Sequence, residues 1–376
     1  MSMSAKRKKK GPLRAGFTTG TAAAAAARAA AAVLAGLPVP RAVDIRLLTG
    51  ETWSIPIENC QKRGNQAECR VIKDAGDDPD VTHQAVIGAC VKWLDKGSEV
   101  EIAGGEGVGQ VTKPGLEVPP GEAAINPGPR RMIREAVADA MAEAGQSRGV
   151  HVTVFVPRGR ELARRTLNRR LGIEGGISIL GTTGVVRPMS HEAYAATIRS
   201  AFAVAAACGT KTVVCTTGRR SERHAQALFP GLAPEAFVQI GDYFAESMQQ
   251  AAKHGFDRAV LAVFFGKAVK MAQGAAHTHA AKSRLALEAL ANWARAEGAG
   301  ETLAERITGA NTAREAFFMI EAQLPALHAR VVQMMKARAE AFAGGRLRVR
   351  ALLFDYSEQV AADTDRKTET EKEADS

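Results

Sequence analysis

From Val150 onward the chain repeats one pattern five times: a short apolar run, a glycine- or threonine-bearing loop, then a helix-forming stretch. The runs are Val150–Val156, Ile177–Leu180, Thr212–Cys215, Phe237–Ile240 and Ala259–Phe264. Parallel strands cannot be joined by a tight turn and need a crossover, which a helix supplies. Five such units in series predict a parallel sheet with helices on both faces, and Arg346–Phe354 alternates well enough to add a last strand. Residues 148–355 therefore read as a doubly wound, Rossmann-like α/β domain with a mostly parallel sheet. Such sheets take ligands at the carboxyl ends of their strands, near the point where the strand order reverses.

The stretch before it reads differently. Thr21 can cap a helix whose body, Ala22–Leu34, is nearly all alanine, and Gly36 and Pro38 stop it. A helix of alanines is thin and lets its neighbours come close. Alternating segments around Val43–Leu48, Trp53–Ile57 and Ala67–Lys73 predict antiparallel strands, with helices at Val81–Asp95 and Pro129–Ala144 packed on them. Residues 13–147 thus read as an α+β domain. A disordered basic tail is expected at 1–12 and a disordered charged tail at 356–376. The length of 376 residues agrees with two domains, since single cores stop growing near about 250–300 residues.

Hydrophobic residues at 46% and charged residues at 24% exclude a disordered or collagen-like chain. Of the net charge of +10, Lys6, Arg7, Lys8, Lys9 and Lys10 hold +5 and residues 361–376 hold −3, which leaves +8 on the body. A basic body calls for an anionic partner. Aromatic residues at 5% are too few for a platform on which single-stranded nucleic acid could stack. The five cysteines, Cys60, Cys69, Cys90, Cys208 and Cys215, form no C-x-x-C pair. That argues against a disulfide framework or a zinc ribbon and for a reducing cytoplasm. No apolar segment follows the basic start, so a signal peptide is not expected. The alanine run is too short for a bilayer and contains Arg28.

Several motifs invite a chemical reading. Gly105-x-Gly107-x-Gly109 is a poor dinucleotide fingerprint, because Val111-Thr112-Lys113-Pro114 does not open a helix. Its glycines suit tight turns or close backbone approach. The acidic string Asp74–His83 lacks the spacing of a calcium loop. Asp78 before Pro79 reads as a helix start with Asp80 beside it, which leaves Asp74 and Asp77 to face a ligand. His277-x-His279 does not share a helix face and finds no third ligand nearby, so no metal site is expected. Arg158, Arg160, Arg164, Arg165, Arg169 and Arg170 suit either a solvated helix face or a carboxylate-rich ligand. The loop Gly181-Thr182-Thr183-Gly184 offers backbone and hydroxyl groups to a polar small molecule. No nucleophile elbow, Walker loop or H-E-x-x-H motif is present, which points to chemistry done by positioning reactants.

Taken together, five long strings resemble the CbiD family of cobalt-precorrin-5B carbon-1 methyltransferases. They are Gly16–Ala30, Asp74–His83, Gly105–Leu116, Pro119–Ile133 and Gly175–Ser190, with a weaker match at Gly266–His279. The family usually has cysteine at the place of Ala22, histidine at that of Phe264 and often valine at that of Gly128, which bears on those side chains alone. The resemblance implies methyl transfer from S-adenosylmethionine to a ring carbon of a cobalt-containing tetrapyrrole, with the substrate between two domains. The substrate's many carboxylates account for the basic body without nucleic acid or membrane. Any cobalt belongs to the substrate.

On that reading Gly181, Thr182, Thr183 and Gly184 line the cofactor site and Asp242 reaches the ribose hydroxyls, both loops following strands of the parallel sheet. Lys113, Arg130 and Arg131 flank matched strings and pair with substrate carboxylates. Asp77 and Asp74 stabilise charge on the ring or accept its proton, with Asp77 the better placed. The alternatives are a nicotinamide-dependent reductase, which would want an orthodox glycine fingerprint, and a non-enzymatic nucleic-acid-binding protein, supported by charge alone.

Overall fold

The computed structural model describes residues 13–279 and 283–365. The basic tail expected at 1–12 and the last part of the charged tail lie outside them. The chain divides into two compact units, Met1–His191 and Glu192–Ser376.

The first unit runs β1 (Gly16–Phe17), α1 (Thr19–Leu34), β2 (Ala42–Arg46), β3 (Thr52–Pro56), β4 (Asn59–Arg63), β5 (Gln66–Ile72), β6 (Val86–Trp93), β7 (Val100–Gly104), β8 (Gln110–Val111), α2 (Pro127–Glu143), β9 (Val150–Phe155), α3 (Gly159–Ala163), β10 (Ile173–Glu174) and β11 (Val185–Val186). Its main sheet has the order β4-β5-β6-β9-β7, antiparallel except for the β7–β9 pair. Helix α1 lies on β5 and β6 with α2 beside it, and every residue but Arg28 is buried. Alanine makes this possible: the helix has no bulk on any side, so sheet and helix both approach its backbone. Thr18 caps it, three positions before the expected cap Thr21, by accepting from the Thr21 N–H at 3.2 Å.

Four expectations fail here. Val86–Trp93 is a strand, not part of a helix over 81–95; it is buried on both faces, so it shows no period of two. Val150–Phe155 pairs with β6 and β7, so it closes the first unit's sheet and moves the boundary from 147/148 to His191. The arginine-rich stretch is helical only over Gly159–Ala163, and Ile177–Leu180 makes only the single bridges Val108–Ile177 and Ile125–Ile179. Cys60 and Cys69 stand opposite each other on β4 and β5 and are joined as a disulfide, a pairing the cysteine count did not suggest.

The second unit runs α4 (His191–Ala207), β12 (Thr212–Thr216), α5 (Arg219–Leu228), β13 (Phe237–Gln239), α6 (Phe244–Lys253), β14 (Arg258–Phe264), α7 (Phe265–Ala272), α8 (Ser283–Ala296), α9 (Glu301–Thr308), α10 (Ala313–Gln323), α11 (Ala326–Phe342), β15 (Arg348–Phe354) and β16 (Val360–Asp363). Its sheet has the order β13-β12-β14-β15-β16, parallel but for β16. Val213, Cys215, Leu261 and Leu353 join the large core shared with α4, α6 to α11, and Val214, Val260 and Leu352 pack with Ala225 of α5 on the other face. Strand β16 is formed by residues expected to lie in a disordered tail. Among the described residues no helix is long and apolar enough to cross a membrane.

Candidate active site

In the first unit the acidic turn is a clasp. The Arg14 guanidinium pairs with Asp74, with Nη2 at 2.9 Å from Oδ1, and the Arg14 N–H donates to Asp77 Oδ2 at 2.7 Å. Arg14, helped by the Gly76 N–H and against partial burial, holds the Asp74 carboxyl below the usual range. No helix follows for Asp78 or Asp80 to cap. Asp78 instead accepts the Met189 N–H at 2.8 Å, and Asp80 meets the fully buried Lys73 at 2.7 Å. Burial pushes the Asp80 carboxyl up, but the Lys73 charge and hydrogen bonds from Lys73 and Thr82 bring it below its ordinary value. Asp77 is exposed, and among the described residues nothing donates to its Oδ1.

The Gly181–Gly184 loop is also fastened to the start of α1. The Thr18 N–H and the Thr21 hydroxyl donate to the Gly184 carbonyl at 3.0 and 2.7 Å. The Thr19 hydroxyl accepts the Leu180 N–H at 2.9 Å. A Cβ on Gly181 would lie 2.6 Å from the Thr18 side chain. What comes close to the backbone at Gly181 is thus the Thr18 side chain. The loop belongs to the first unit and does not follow a strand of the parallel sheet, so the positional argument that grouped it with Asp242 fails. Thr182 and Thr183 remain exposed.

The three substrate-binding candidates differ in how far they are engaged. Arg130 donates to the carbonyls of Ile125 (2.8 Å) and Ile102 (3.3 Å) and meets Glu122, which ties down the loop before α2. Arg131 is exposed and only loosely paired with Glu135 at 3.8 Å. The stem of Lys113 packs under Gly172.

Asp242 sits where the sequence placed it, just beyond β13 at the carboxyl edge of the parallel sheet. Its Oδ1 accepts from Lys267 in the first turn of α7 and from the Thr278 hydroxyl at 2.9 Å. Burial alone would raise this carboxyl; the hydrogen bonds from Lys267 and Thr278 and the Lys267 charge hold it below the ordinary range. Lys270 donates to the carbonyls of Thr278 (3.4 Å) and His279 (3.2 Å), and burial followed by the Lys267 charge lowers its pKa. The Gly266–His279 string thus packs back on Asp242. Sequence reasoning missed the rings beside it. Tyr194 and Tyr243 stack with centroids 5.0 Å apart, and Tyr243 meets His277 edge-on at 4.8 Å. Among the described residues no group of three or more histidine, cysteine or acidic side chains could hold a metal.

A mixed α/β protein with a polar cluster at the carboxyl edge of a mostly parallel sheet belongs to the broad class of α/β ligand-binding proteins and enzymes. The comparisons narrow it. The sequence model of the CbiD family matches residues 5–188, and that of the CbiD C-terminal domain matches residues 277–365. The chain is 44% identical over 352 residues to a cobalt-precorrin-5B C(1)-methyltransferase of Nitratidesulfovibrio vulgaris, covering 91% of this chain and 90% of that protein. It is 44% identical to the Rubrobacter xylanophilus protein of the same name, covering 92% and 89%. A crystal structure of the cobalamin biosynthesis protein CbiD from Archaeoglobus fulgidus is 30% identical, with a TM-score of 0.39, covering 69% of this chain and 79% of that one. The chain belongs to the CbiD family.

Proposed function

We propose that this chain transfers the methyl group of S-adenosylmethionine to carbon-1 of cobalt-precorrin-5B, giving cobalt-precorrin-6A on the route to cobalamin. The observation that carries the reading is the single name shared by relatives that cover 91% and 92% of the chain. When bound, S-adenosylmethionine supplies an electrophilic methyl on a sulfonium; an electron-rich ring carbon takes it while the carbon–sulfur electron pair returns to sulfur. The protein's part is to align the reactants and exclude water, and alignment can supply roughly 7–11 kcal/mol.

The second unit is read as the Rossmann-like, doubly wound domain and the donor's holder. Its strand order reverses between β12 and β14, and the Asp242–Lys267 pair joins the segments that follow β13 and β14, on either side of β12. Asp242 fits a donor with vicinal hydroxyls: it stays ionised, and among the described residues nothing donates to its Oδ2. In the first unit, Lys113 and Arg131 are the cations read as meeting substrate carboxylates, while Arg130 orders their neighbourhood. Thr182 keeps an exposed side chain for ligand contact, whereas the exposed Thr183 turns its hydroxyl to the Val185 main chain; Gly181 and Gly184 serve the packing on Thr18 and Thr21. Asp77 is the better candidate for proton acceptor, because both oxygens of Asp74 are engaged.

The test is incubation of the full chain with cobalt-precorrin-5B and methyl-labelled S-adenosylmethionine. One labelled methyl at carbon-1 per S-adenosylhomocysteine released is expected. Absence of transfer, or oxidation of NADH in its place, would overturn the reading.

A further inference from the structure

The chain is poor in tyrosine, with three in all, yet two of them stand beside Asp242. Tyr194 of α4 lies nearly parallel to Tyr243, at an interplanar angle of 14°, and is 42% exposed. Tyr243 is the residue after Asp242, and it also meets the ring of His277 edge-on. Gly241 brings the backbone in close: its φ is +55°, and a Cβ there would lie 2.6 Å from the Tyr194 hydroxyl. The segment 241–243 and the Tyr194 ring are thus fitted to each other. Folding gains little from leaving so large a part of this ring in water.

We infer that Tyr194, backed by Tyr243, is the platform on which the adenine of the methyl donor stacks, with the free oxygen of Asp242 taking the ribose hydroxyls. The inference rests on the proposed methyl donor and deepens it. Three features converge on a nucleoside. An exposed ring already held flat by a second ring can extend the stack to a third, flat heterocycle. A carboxylate anchored through Oδ1 by Lys267 and Thr278 presents Oδ2 in a fixed direction, as an acceptor for a diol must. The cluster stands where the strand order reverses, the place at which open parallel sheets bind ligands. The surrounding charge favours a nucleoside without phosphate. Asp242, Glu246 and Glu192 all stand near Tyr243, and the cations that meet them are occupied, Lys267 by Asp242 and Arg199 by Glu192 and Glu246. A sulfonium is welcome beside such acids, and a phosphate is not. Lys267 is on this account a positioning residue.

The experiment is calorimetry of the full chain with S-adenosylhomocysteine, with adenosine and AMP as competitors, and a melting curve for each variant. Wild type should bind S-adenosylhomocysteine and prefer adenosine to AMP. Tyr194→Ala should weaken S-adenosylhomocysteine by about tenfold or more, the usual worth of one base–ring stack, and Tyr194→Phe should restore it. Failure of wild type to bind S-adenosylhomocysteine would remove the methyl donor itself. Wild-type binding together with undiminished binding by Tyr194→Ala would remove only the platform. Equal losses for Ala and Phe would make the hydroxyl the contact and overturn the stack, and tighter binding of AMP than adenosine would overturn the nucleoside.

Discussion

The two units reach a buried core by opposite means. In the first, helix α1 is buried almost all round because it is nearly bare, and only Phe17, Trp53, Trp93 and Phe155 bring aromatic rings. Its backbones meet directly: a Cβ on Gly16 would strike the main chain at Ala75, and one on Gly76 would strike Arg14. In the second, most of the other phenylalanines, with Tyr243, Tyr356 and Trp293, fill the space, and Phe317 is set between Phe265, His328 and Tyr356. A core of close backbones tolerates no added atom, whereas a core of large side chains is sensitive to loss and to charge. The same difference runs through the polar groups. Most motif side chains of the first unit hold its own main chain, while Asp242 in the second leaves one oxygen outward.

The largest expected effect is at Gly16. Gly16→Ala should destabilise the first unit by more than the ~3 kcal/mol typical of overpacking, because the obstacle is backbone and cannot rotate away. A melting curve within about 1 °C of wild type would break the comparison at its root.

Charge comes next. Burial pushes His328 down to about 4, although the exposed Glu321 carboxylate lies 3.0 Å away. The unfolded chain takes up this proton below about 6.5 and the folded chain only near 4. The second unit should therefore keep its full stability above pH 6.5 and lose on the order of 3 kcal/mol as the pH falls to 4. Asp80 and Asp74 in the first unit have lowered carboxyls, so what they contribute is lost only below the unfolded value near 4. Fluorescence of Trp293 should change at a higher pH than that of Trp53 and Trp93, and His328→Phe should remove the gap. Coincident transitions in wild type would count against it.

Asp77→Asn separates clasp from chemistry within the first unit. The amide oxygen can still accept the Arg14 N–H, so the melting point should hold, while single-turnover methyl transfer should fall by roughly 10²-fold if Asp77 takes the proton. Unchanged turnover would leave the whole acidic turn to structure. The smallest effect should be Gly231→Ala in the second unit, where a Cβ meets nothing within 4 Å; the expected change is below about 0.5 kcal/mol. A larger loss there would show that the second unit also depends on close backbones.

Legibility in the sequence follows the same division. Strands β12, β13 and β14 were readable because each is a short apolar run, β15 because it alternates, and Asp242 was readable because it follows one of them. Strand β6 was not: with Gly88, Ala89 and Cys90 covered on one face or the other, its pattern suits a helix as well as a strand. Gly88 is small because the Phe155 ring of β9 occupies the place of its side chain, a reason that only the folded pair supplies. The glycines at 181 and 184 pointed to a ligand, whereas their close neighbours are Thr18, Thr21 and Leu47 of the same unit. Tyr194 carried no signal, because its stack with Tyr243 is made across 49 residues of chain.

The stitching of α1 to the Gly181–Gly184 loop has a consequence for how the protein is made. The Thr21 hydroxyl bonds a carbonyl 163 residues further on, and β1 pairs with β11. A ribosome delivers the alanine helix early and its last partner very late. At about 5–20 residues per second, α1 waits some ten seconds or more with only Val33 and Leu34 as bulky apolar side chains to bury. Contacts of such long sequence separation also form slowly. The first unit should therefore settle only after its last segment has emerged, and a stretch of bare alanine, which offers chaperones and neighbouring chains little to grip, is a safe thing to leave exposed meanwhile.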